Sequence, residues 1–358
     1  MKVAIIGAGL AGLACAIEFE KHGIIADIYE RNSSVGWIWP SLVYCPSIFT
    51  RKLGDVPTYF KKTYDLAIIP HRECKSILMK SANQDVLVDG KLGYCFLRGK
   101  DSRSIENQLL YLLQKTPIHY NTPANCIELS KIYDHVVVAT GRAKDAIELG
   151  LWENQGTAIV VGGVGIGQFD TTFSAAYFNI DYAGAGYGRL TPFSSTHAIL
   201  GLYIIGKEEV DIVKSFNQFL KYEGLDYLEF TYLVVPPPFD TGRVTKFQVG
   251  NILLAGRSAG LTERLLGVGC CEALESGIQA ARSIIYNKNY DALVRPLQRH
   301  IENISSFRNV VEKYTNEDYD RLLNVLKTSG VKQAIYNTKL NHTDFAGGIL
   351  KNLYKLFK

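Results

Sequence analysis

A glycine-rich turn near the N-terminus constrains the fold of this chain more than any other feature. The apolar run Val3–Ile6 leads into Gly7-Ala8-Gly9-Leu10-Ala11-Gly12, and an amphipathic segment follows. This order predicts a strand, a tight turn and a helix whose first N–H groups face a phosphate. Gly7 permits the turn, Gly9 lets a pyrophosphate approach the backbone, and Gly12 lets the helix pack closely on the sheet. We therefore predict dinucleotide binding, with Leu10 and Ala11 also at the phosphates.

A second apolar run ends at Glu30, at the distance from the glycine turn that a dinucleotide fold requires. A carboxylate there accepts hydrogen bonds from both hydroxyls of an adenosine ribose. We also place Arg31, the next residue, at the cofactor. The alternative is a glycine-rich turn in an ordinary α/β domain. The strand before the turn, the helix after it and the acid together favour the dinucleotide.

Composition bounds the remaining possibilities. A length of 358 residues suits about two domains, and an apolar content of 47% allows a large core. The net charge of +4 is too small to indicate a nucleic-acid partner. The sequence begins directly with a strand pattern, so we expect no signal peptide. Seven cysteines without CxxC spacing predict reduced thiols rather than disulfides or a metal site, and hence a cytoplasmic protein.

Two later segments indicate FAD rather than NAD. A short apolar strand from His135 breaks at Thr140-Gly141, and another apolar strand stops at Gly256. The turn Gly267-Val268-Gly269 then precedes a predicted helix over 270–285. The positive end of such a helix suits the N1–C2 edge of a flavin, where negative charge gathers on reduction. We assign all of these turn residues to the cofactor.

Together these segments resemble the p-hydroxybenzoate hydroxylase-type flavoprotein family, and within it the geranylgeranyl reductase-like branch. The resemblance covers roughly residues 1–290. Phe96-Leu97-Arg98-Gly99, followed by a predicted helix over 102–115, is similar to a segment whose arginine reaches the FAD pyrophosphate. The resemblance assigns that role to Arg98, and the alternative is a solvated arginine at a strand end. Arg257 departs from the family, which has an aspartate there that accepts a ribityl hydroxyl. Arginine has no acceptor, so this contact must differ, and Arg257 is placed at the cofactor as a possible phosphate ligand.

The resemblance implies a Rossmann-like FAD-binding α/β domain (three-layer ββα), an inserted antiparallel-sheet substrate domain and a C-terminal helical appendage. We place the FAD-binding domain at 1–60, 98–150 and 245–287, the substrate domain at 61–97 and 151–244, and the appendage at 288–358. Strands are predicted at 66–69, 93–96, 157–161 and 198–205, with a helix over 208–222 packed on their sheet. The spacing of glycines over 161–167 does not form a second GxGxxG, so we interpret that run as a connection. Without a second nucleotide domain, electrons must come from docked NAD(P)H or a ferredoxin-like protein.

The segment 182–193 is similar to a diluted form of the reductases' lipid-contact motif. Tyr187 and Pro192 match the motif, whereas Gly184, Arg189 and Thr191 stand where proline, tryptophan and phenylalanine are expected. We assign Tyr187, Arg189 and Pro192 to the substrate and Tyr187 also to catalysis. The cation at Arg189 indicates a more polar or an anionic substrate. The alternative is that Tyr187 simply packs in the sheet.

Reduction of an alkene by a flavin also needs a proton donor. Cys45 is the first candidate, because it lies near the position where archaeal reductases of the family carry an active-site cysteine, and a thiol exchanges protons near neutral pH. Cys270 and Cys271 open the helix that points at the flavin, where a redox relay through a vicinal disulfide is one interpretation. Small apolar packing is the alternative for all three cysteines.

The sequence therefore predicts a single-FAD oxidoreductase that reduces carbon–carbon double bonds of an isoprenoid or related hydrophobic substrate. The alternatives are an aromatic monooxygenase using NAD(P)H and O2, an electron-transfer or non-catalytic flavoprotein, and a binding module with a vestigial nucleotide site. Apolar residues of the segment 347–358 share one helical face beside three lysines, which is typical of contact with a membrane surface or of docking onto protein.

Overall fold

The computed structural model describes residues 1–36, 41–207, 210–328 and 330–336. Its strands are β1 Val3–Ile6, β2 Asp27–Tyr29, β3 Ser41–Pro46, β4 Arg72–Lys80, β5 Asp85–Arg98, β6 Ile118–His119, β7 His135–Val138, β8 Trp152–Ile166, β9 Phe173–Tyr177, β10 Tyr187–Pro192, β11 His197–Ile205, β12 Glu229–Val234, β13 Phe239–Val244, β14 Gln248–Val249 and β15 Ile252–Leu254. Its α-helices are α1 Leu10–Lys21, α2 Ser47–Thr50, α3 Val56–Tyr64, α4 Ile105–Leu112, α5 Cys126–Leu129, α6 Lys144–Glu148, α7 Ile180–Ala183, α8 Ile212–Tyr222, α9 Cys270–Ile285, α10 Tyr290–Ser305, α11 Arg308–Val311, α12 Asn316–Lys327 and α13 Val331–Tyr336. Short 3₁₀ turns occupy Arg51–Leu53 and Gly256–Ala259.

The first sheet has the strand order β14-β15-β7-β1-β2-β6. Its strands are parallel except for β14, which runs antiparallel to β15 at the edge. The central strand β1 is apolar and fully buried, and residues 136–138 of β7 are also buried valines, as expected for a parallel sheet covered on both faces. The strand β1, the glycine turn, the helix α1 and the strand β2 form the predicted dinucleotide-binding unit, so the Rossmann-like part of the predicted fold is confirmed.

The second sheet has the order β12-β8-β11-β10-β9-β4-β5-β3, with β13 also paired to β8. Its pairs are antiparallel apart from β4 and β9. The helix α8 covers it through Phe216, Phe219 and Leu220, whose i, i+3, i+4 spacing places them on one face. A Cβ on Gly188 of β10 would lie 2.4 Å from the ring of Phe219, so the glycine makes room for the helix. The predicted antiparallel-sheet domain is therefore present.

Two predicted secondary-structure assignments are wrong. The segment 66–69 is not a strand, because Ile69 bonds through its N–H and C=O to the side chain of Gln108 rather than to another strand. The run 161–167 is not a connection, because most of it lies inside the central strand β8. Its glycines are explained by close packing, since a Cβ on Gly163 would lie 2.3 Å from the carbonyl oxygen of Tyr232.

Other boundaries also move. The helix predicted over 102–115 spans only α4, capped by the Ser104 side chain, and the helix predicted over 208–222 begins after its N-cap Asp211. Two elements do not follow the predicted domain limits. The strand β3 pairs with β5 in the second sheet although it falls within 1–60, and α3 crosses residue 60 while Phe60 and Tyr64 pack in the core of the first sheet.

The C-terminal region is helical through α10 to α13, as predicted, for the residues that the structure describes. The segment 347–358 lies outside them. Within the described ranges, no helix combines the length and the apolar character needed to span a bilayer.

Candidate cofactor and substrate site

The glycine turn between β1 and α1 has the geometry of a phosphate cradle. Gly7 has a φ of +103°, and a Cβ there would lie 2.6 Å from the carbonyl oxygen of Ala139. A Cβ on Gly12 would lie 1.9 Å from the carbonyl oxygen of Gly7. Around Gly9, by contrast, a Cβ would meet no atom of the described residues within 4 Å. The fold itself thus requires Gly7 and Gly12, whereas Gly9 faces open space next to the first turn of α1.

The N-terminus of α1 keeps its hydrogen-bond donors available. Gly9 is the N-cap residue, and no side chain caps the helix. The first N–H groups of an α-helix have no partner within the helix, and they carry the positive end of its dipole. Leu10 and Ala11 are the first two residues of this helix, so their backbone N–H groups are available to an anionic group.

Glu30 is fixed at the end of β2 by two backbone bonds. Its Oε2 accepts from the N–H of Ala8 at 2.9 Å, and its Oε1 accepts from the N–H of Asn32 at 2.8 Å. Each carboxylate oxygen has a further lone pair for a ribose hydroxyl. The neighbouring Arg31 is largely exposed, and burial together with the nearby Arg142 lowers its pKa.

The predicted residues at the end of β7 lie beside the same turn. The ideal Cβ position on Gly7 is 3.2 Å from Cα of Thr140, and the hydroxyl of Thr140 donates to Asp145 at 2.8 Å. Gly141 adopts a φ of +68° with no atom within 4 Å of a Cβ position. The carboxyl ends of β1 and β7 therefore form one edge, which is where α/β sheets bind ligands.

Arg98, at the end of β5, is held by an ion pair. Its Nε donates to Oε1 of the buried Glu106 at 2.5 Å. The loop that follows Glu30 packs against this strand end, because a Cβ on Gly36 would lie 2.3 Å from the carbonyl oxygen of Gly99. The structure thus brings Arg98 to the loop after Glu30, although Arg98 is oriented by a carboxylate rather than solvated.

The segment after β15 also meets α1. The N–H of Gly256 donates to Oγ of Ser276 at 2.9 Å, and a Cβ on Gly256 would lie 3.1 Å from Cβ of Ala11. Arg257 stacks its guanidinium 4.0 Å from the ring centroid of Phe239 on β13. Burial lowers the pKa of Arg257 to about 10, and the charge of Asp240 opposes this shift. Arg257 therefore joins the cofactor segment to the second sheet through an aromatic contact.

The loop before α9 is built around a residue that the sequence analysis missed. The buried carboxylate of Glu263 accepts from the N–H groups of Leu265 at 2.6 Å, Leu266 at 2.9 Å and Val268 at 2.7 Å. Burial raises the pKa of Glu263, and these backbone bonds oppose the shift. Gly267 takes a φ of +75° in this loop, and Gly269 is the N-cap of α9. The sequence feature that could have identified Glu263 is an acidic residue a few positions before Gly267-Val268-Gly269.

Arg308, in α11, holds the same loop from outside. Its guanidinium donates to the carbonyl oxygens of Arg264 at 2.8 Å and Leu265 at 2.5 Å, and also to that of Ala185. The residue is 2% exposed. It therefore ties the C-terminal region, the loop before α9 and the second sheet together. No pattern in the sequence pointed to this residue.

A small cleft, open to solvent, lies between this loop and the second sheet. It is lined by Tyr187, Tyr203, Phe239 and Gly267, among other residues. The rings of Tyr187 and Tyr203 stack at 4.8 Å, and the hydroxyl of Tyr187 donates to the carbonyl oxygen of Leu266 at 2.8 Å. Burial raises the pKa of Tyr187 well above its usual range. Tyr187 thus lines the cleft, and its hydroxyl proton is hydrogen-bonded to a backbone carbonyl group.

The other predicted substrate residues are arranged differently. The guanidinium of Arg189 lies 5.6 Å from the ring centroid of Tyr203, and its Nε is buried without a hydrogen-bond partner among the described residues. Pro192 is buried at the end of β10 opposite Ala198 and is not part of the cleft wall.

Cys45, Cys270 and Cys271 meet in the interior. Their three Sγ atoms all lie within 4.8 Å of one another, and all three residues are buried. Hydrogen bonds from the thiols of Cys271 and Cys45 lower the pKa of Cys270, and Arg98 acts in the same direction. The hydrogen bond with Cys270, together with burial, raises the pKa of Cys45. Cys45 therefore faces the start of α9 and does not line the cleft.

Comparison with known proteins agrees with this architecture. Residues 5–63 match the family of NAD(P)-binding Rossmann-like domains. A geranylgeranyl bacteriochlorophyll reductase-like protein from Thermoplasma acidophilum superposes with a TM-score of 0.72 at 14% identity, covering 99% of this chain and 98% of that one. The chain has the fold of flavin-dependent oxidoreductases. The predicted resemblance is thereby confirmed at the level of fold.

Two further structures have the same fold. A flavoprotein/dehydrogenase from Cytophaga hutchinsonii gives a TM-score of 0.68 at 14% identity, with 99% of this chain and 98% of that chain covered. The p-nitrophenol 4-monooxygenase of Pseudomonas putida gives 0.63 at 13% identity, with 93% and 96% covered. No functionally curated protein matches the chain in sequence.

Proposed function

We propose that this chain is an FAD-dependent oxidoreductase that binds one FAD along the edge formed by β1, β7 and the N-termini of α1 and α9. The observation that carries the proposal is the convergence of separate segments. Glu30 accepts a hydrogen bond within the glycine turn, the end of β7 lies against Gly7 of the same turn, and Gly256 packs against both Ala11 of α1 and Ala273 of α9. The glycine turn, Glu30 and the N-terminus of α9 match, in order, the pyrophosphate, the adenosine ribose and the flavin edge of the cofactor.

We further propose that the enzyme reduces carbon–carbon double bonds of an isoprenoid or related hydrophobic substrate. When bound, FAD supplies a hydride from its N5 atom. The cleft supports this proposal because its wall is aromatic at Tyr187, Tyr203 and Phe239 and adjoins the turn at Gly267. Arg189 does not line the cleft, but its guanidinium lies 5.6 Å from the ring centroid of Tyr203 on the cleft wall, and this nearby positive charge favours a substrate that also carries an anionic group. The fold shared with a geranylgeranyl bacteriochlorophyll reductase-like protein supports the same reaction class.

An aromatic monooxygenase that uses NAD(P)H and O2 is the second candidate. It is supported by the likeness to p-nitrophenol 4-monooxygenase and to 2-methyl-3-hydroxypyridine-5-carboxylic acid oxygenase, which have the same fold. A stacked Tyr187–Tyr203 pair suits a flat aromatic substrate as well as an unsaturated chain. The electron donor, NAD(P)H or a ferredoxin-like protein, is part of either proposal.

The test begins with the visible spectrum of the purified chain after incubation with FAD. We expect a bound flavin that dithionite reduces anaerobically. We then expect prenylated alkenes to reoxidise it with the gain of two hydrogens in the product, measured by mass spectrometry. Oxygen consumption coupled to NADPH with hydroxylation of a phenol would favour the monooxygenase instead. A colourless chain that cannot be reconstituted with FAD would overturn both.

A further inference from the structure

Three cysteines from two separate parts of the chain meet at the start of α9. Cys45 comes from β3, and Cys270 and Cys271 are the first two residues of the helix. Their sulfurs lie within 4.8 Å of one another, and the residues are 0%, 6% and 3% exposed. Buried groups this close together form a potential ligand set rather than three separate packing residues.

The spacing of the sulfurs suits a shared metal ion. A zinc–sulfur bond is about 2.3 Å long, so sulfurs that bind one ion lie about 4 Å apart. A disulfide between Cys270 and Cys271 is disfavoured, because adjacent Cα atoms are about 3.8 Å apart and a relaxed disulfide needs about 4.4 Å or more. The redox relay through a vicinal disulfide is therefore a poor fit to this helical segment. A bridge from Cys45 to either partner would leave the third sulfur unused.

The surroundings compensate the charge of such a site. The cysteines of α9 lie at its N-terminus, where the helix dipole stabilises thiolates. Arg98 is close enough to act on Cys270 electrostatically. Arg98 is itself paired with the buried carboxylate of Glu106, so the sulfurs need a further counter-charge. Three thiolates with a divalent ion carry a net charge of −1, and with a monovalent ion they carry −2, so a divalent ion better offsets the cost of burying the sulfurs.

We propose that Cys45, Cys270 and Cys271 bind one thiophilic divalent metal ion of the zinc class through their three sulfurs. Each thiol releases its proton to solvent as its sulfur binds the ion. Among the described residues, no further histidine, cysteine or carboxylate completes the set, so the fourth position is left to water or another small ligand. A sulfur bound to the metal cannot donate a proton, so a loaded site excludes the role of proton donor predicted for Cys45.

The experiment uses the full chain, reduced with a phosphine, freed of metal and handled anaerobically. Titration with Co²⁺ should give sulfur-to-cobalt charge-transfer absorption that saturates at one ion per chain, and Zn²⁺ should displace the cobalt. Cys45→Ser and Cys271→Ala should each weaken binding at least tenfold, since even outer-shell changes weaken metal sites by about tenfold or more. Cys126→Ser, at a buried cysteine outside the cluster, should bind as the unmodified chain does.

Circular dichroism of each variant identifies any that fails to fold, and the two cluster variants on different elements provide independent tests. Cobalt binding should persist in the Gly9→Val chain, which is expected to lose FAD. The test of the metal site is therefore independent of the test of FAD binding. Absence of saturable binding while thiol titration shows the cysteines reduced would overturn the proposal. Equal binding by folded Cys45→Ser would also overturn it, as would a Cys45–Cys270 disulfide that resists the phosphine and blocks metal uptake.

Discussion

Single residues at this site divide into those that the fold requires and those that only a ligand requires. Gly12 belongs to the first group, because any side chain there collides with the backbone of Gly7. Gly9 belongs to the second group, because its surroundings are open. The sequence motif does not distinguish these glycines. The structure predicts that replacing Gly12 affects the stability of the fold, whereas replacing Gly9 affects ligand binding.

We expect Gly9→Val to abolish or greatly weaken FAD binding while leaving the fold intact. The valine side chain occupies the space of the pyrophosphate, and the change of N-cap residue costs about 1 kcal/mol or less of unfolding free energy. Gly12→Ala should instead lower the unfolding free energy by about 1–3 kcal/mol through overpacking. Flavin absorbance and urea unfolding of the apo chains measure the two effects. A Gly9→Val chain that retains the flavin would contradict the assignment of Gly9 to the pyrophosphate site.

A substitution at Arg308 is expected to lower the stability of the protein. Arg308→Met removes the donors for three carbonyl groups, and we expect a loss of about 2–4 kcal/mol in unfolding free energy because buried polar groups lose their partners. Arg321→Ala, in the same C-terminal region, is the matched control. Among the described residues Arg321 makes only exposed ion pairs, so its replacement should change stability by about 0.5 kcal/mol or less. Thermal unfolding followed by circular dichroism compares them. Equal melting temperatures would show that Arg308 does not hold the loop.

At the scale of elements, the contact between α1 and α9 sets the geometry of the site. A Cβ on Gly277 of α9 would lie 2.1 Å from the carbonyl oxygen of Ala11 in α1. The two helices can approach this closely only because α9 has glycine at the crossing point. The N-terminal turn of α1 thereby lies against the middle of α9, and Gly256 packs against Ala11 of α1 and Ala273 of α9.

We expect Gly277→Ala to destabilise the protein by about 1–3 kcal/mol through overpacking. In an exposed helix the same change stabilises by about 1 kcal/mol, so the sign of the effect tests the packing. Gln279→Ala in the same helix is the control, because its amide makes only a 3.4 Å contact with the hydroxyl of Tyr64. Chemical unfolding gives both values, and a stabilised Gly277→Ala chain would refute the close approach.

At the scale of the whole molecule, a polar contact attaches the C-terminal helix α12 to the second sheet. Asp320 of α12 accepts from the hydroxyl of Ser81 at 2.6 Å and from the N–H and side-chain amide of Asn83 at 3.0 and 2.8 Å. Burial opposes ionisation of Asp320, but these bonds outweigh it and lower its pKa. The stabilisation is therefore present above the ordinary aspartate pKa of about 3.9 and is lost as the pH falls below it.

We expect Asp320→Ala to increase hydrogen exchange in α12 at neutral pH, because the helix loses its polar contact with the turn between β4 and β5. The difference from the unmodified chain should shrink as the pH falls below about 3.9. Glu317→Ala, at an exposed position of the same helix, should leave the exchange unchanged. Exchange measured by mass spectrometry that is equal for both variants would contradict this attachment.

The sequence by itself determined the dinucleotide-binding unit, because a local pattern of strand, glycine turn and helix specifies it within 30 residues. It also predicted the strand β7 and the limits of α9, since continuous apolar runs and terminal glycines mark them. The extent of β8 was decided only by the tertiary structure, because its glycines depend on strands paired from elsewhere in the chain. The tertiary structure also decided the contacts of Glu263 and Arg308 with the loop before α9 and the meeting of Cys45, Cys270 and Cys271. These contacts join residues more than 40 positions apart, or depend on loop geometry, and no local periodicity encodes them.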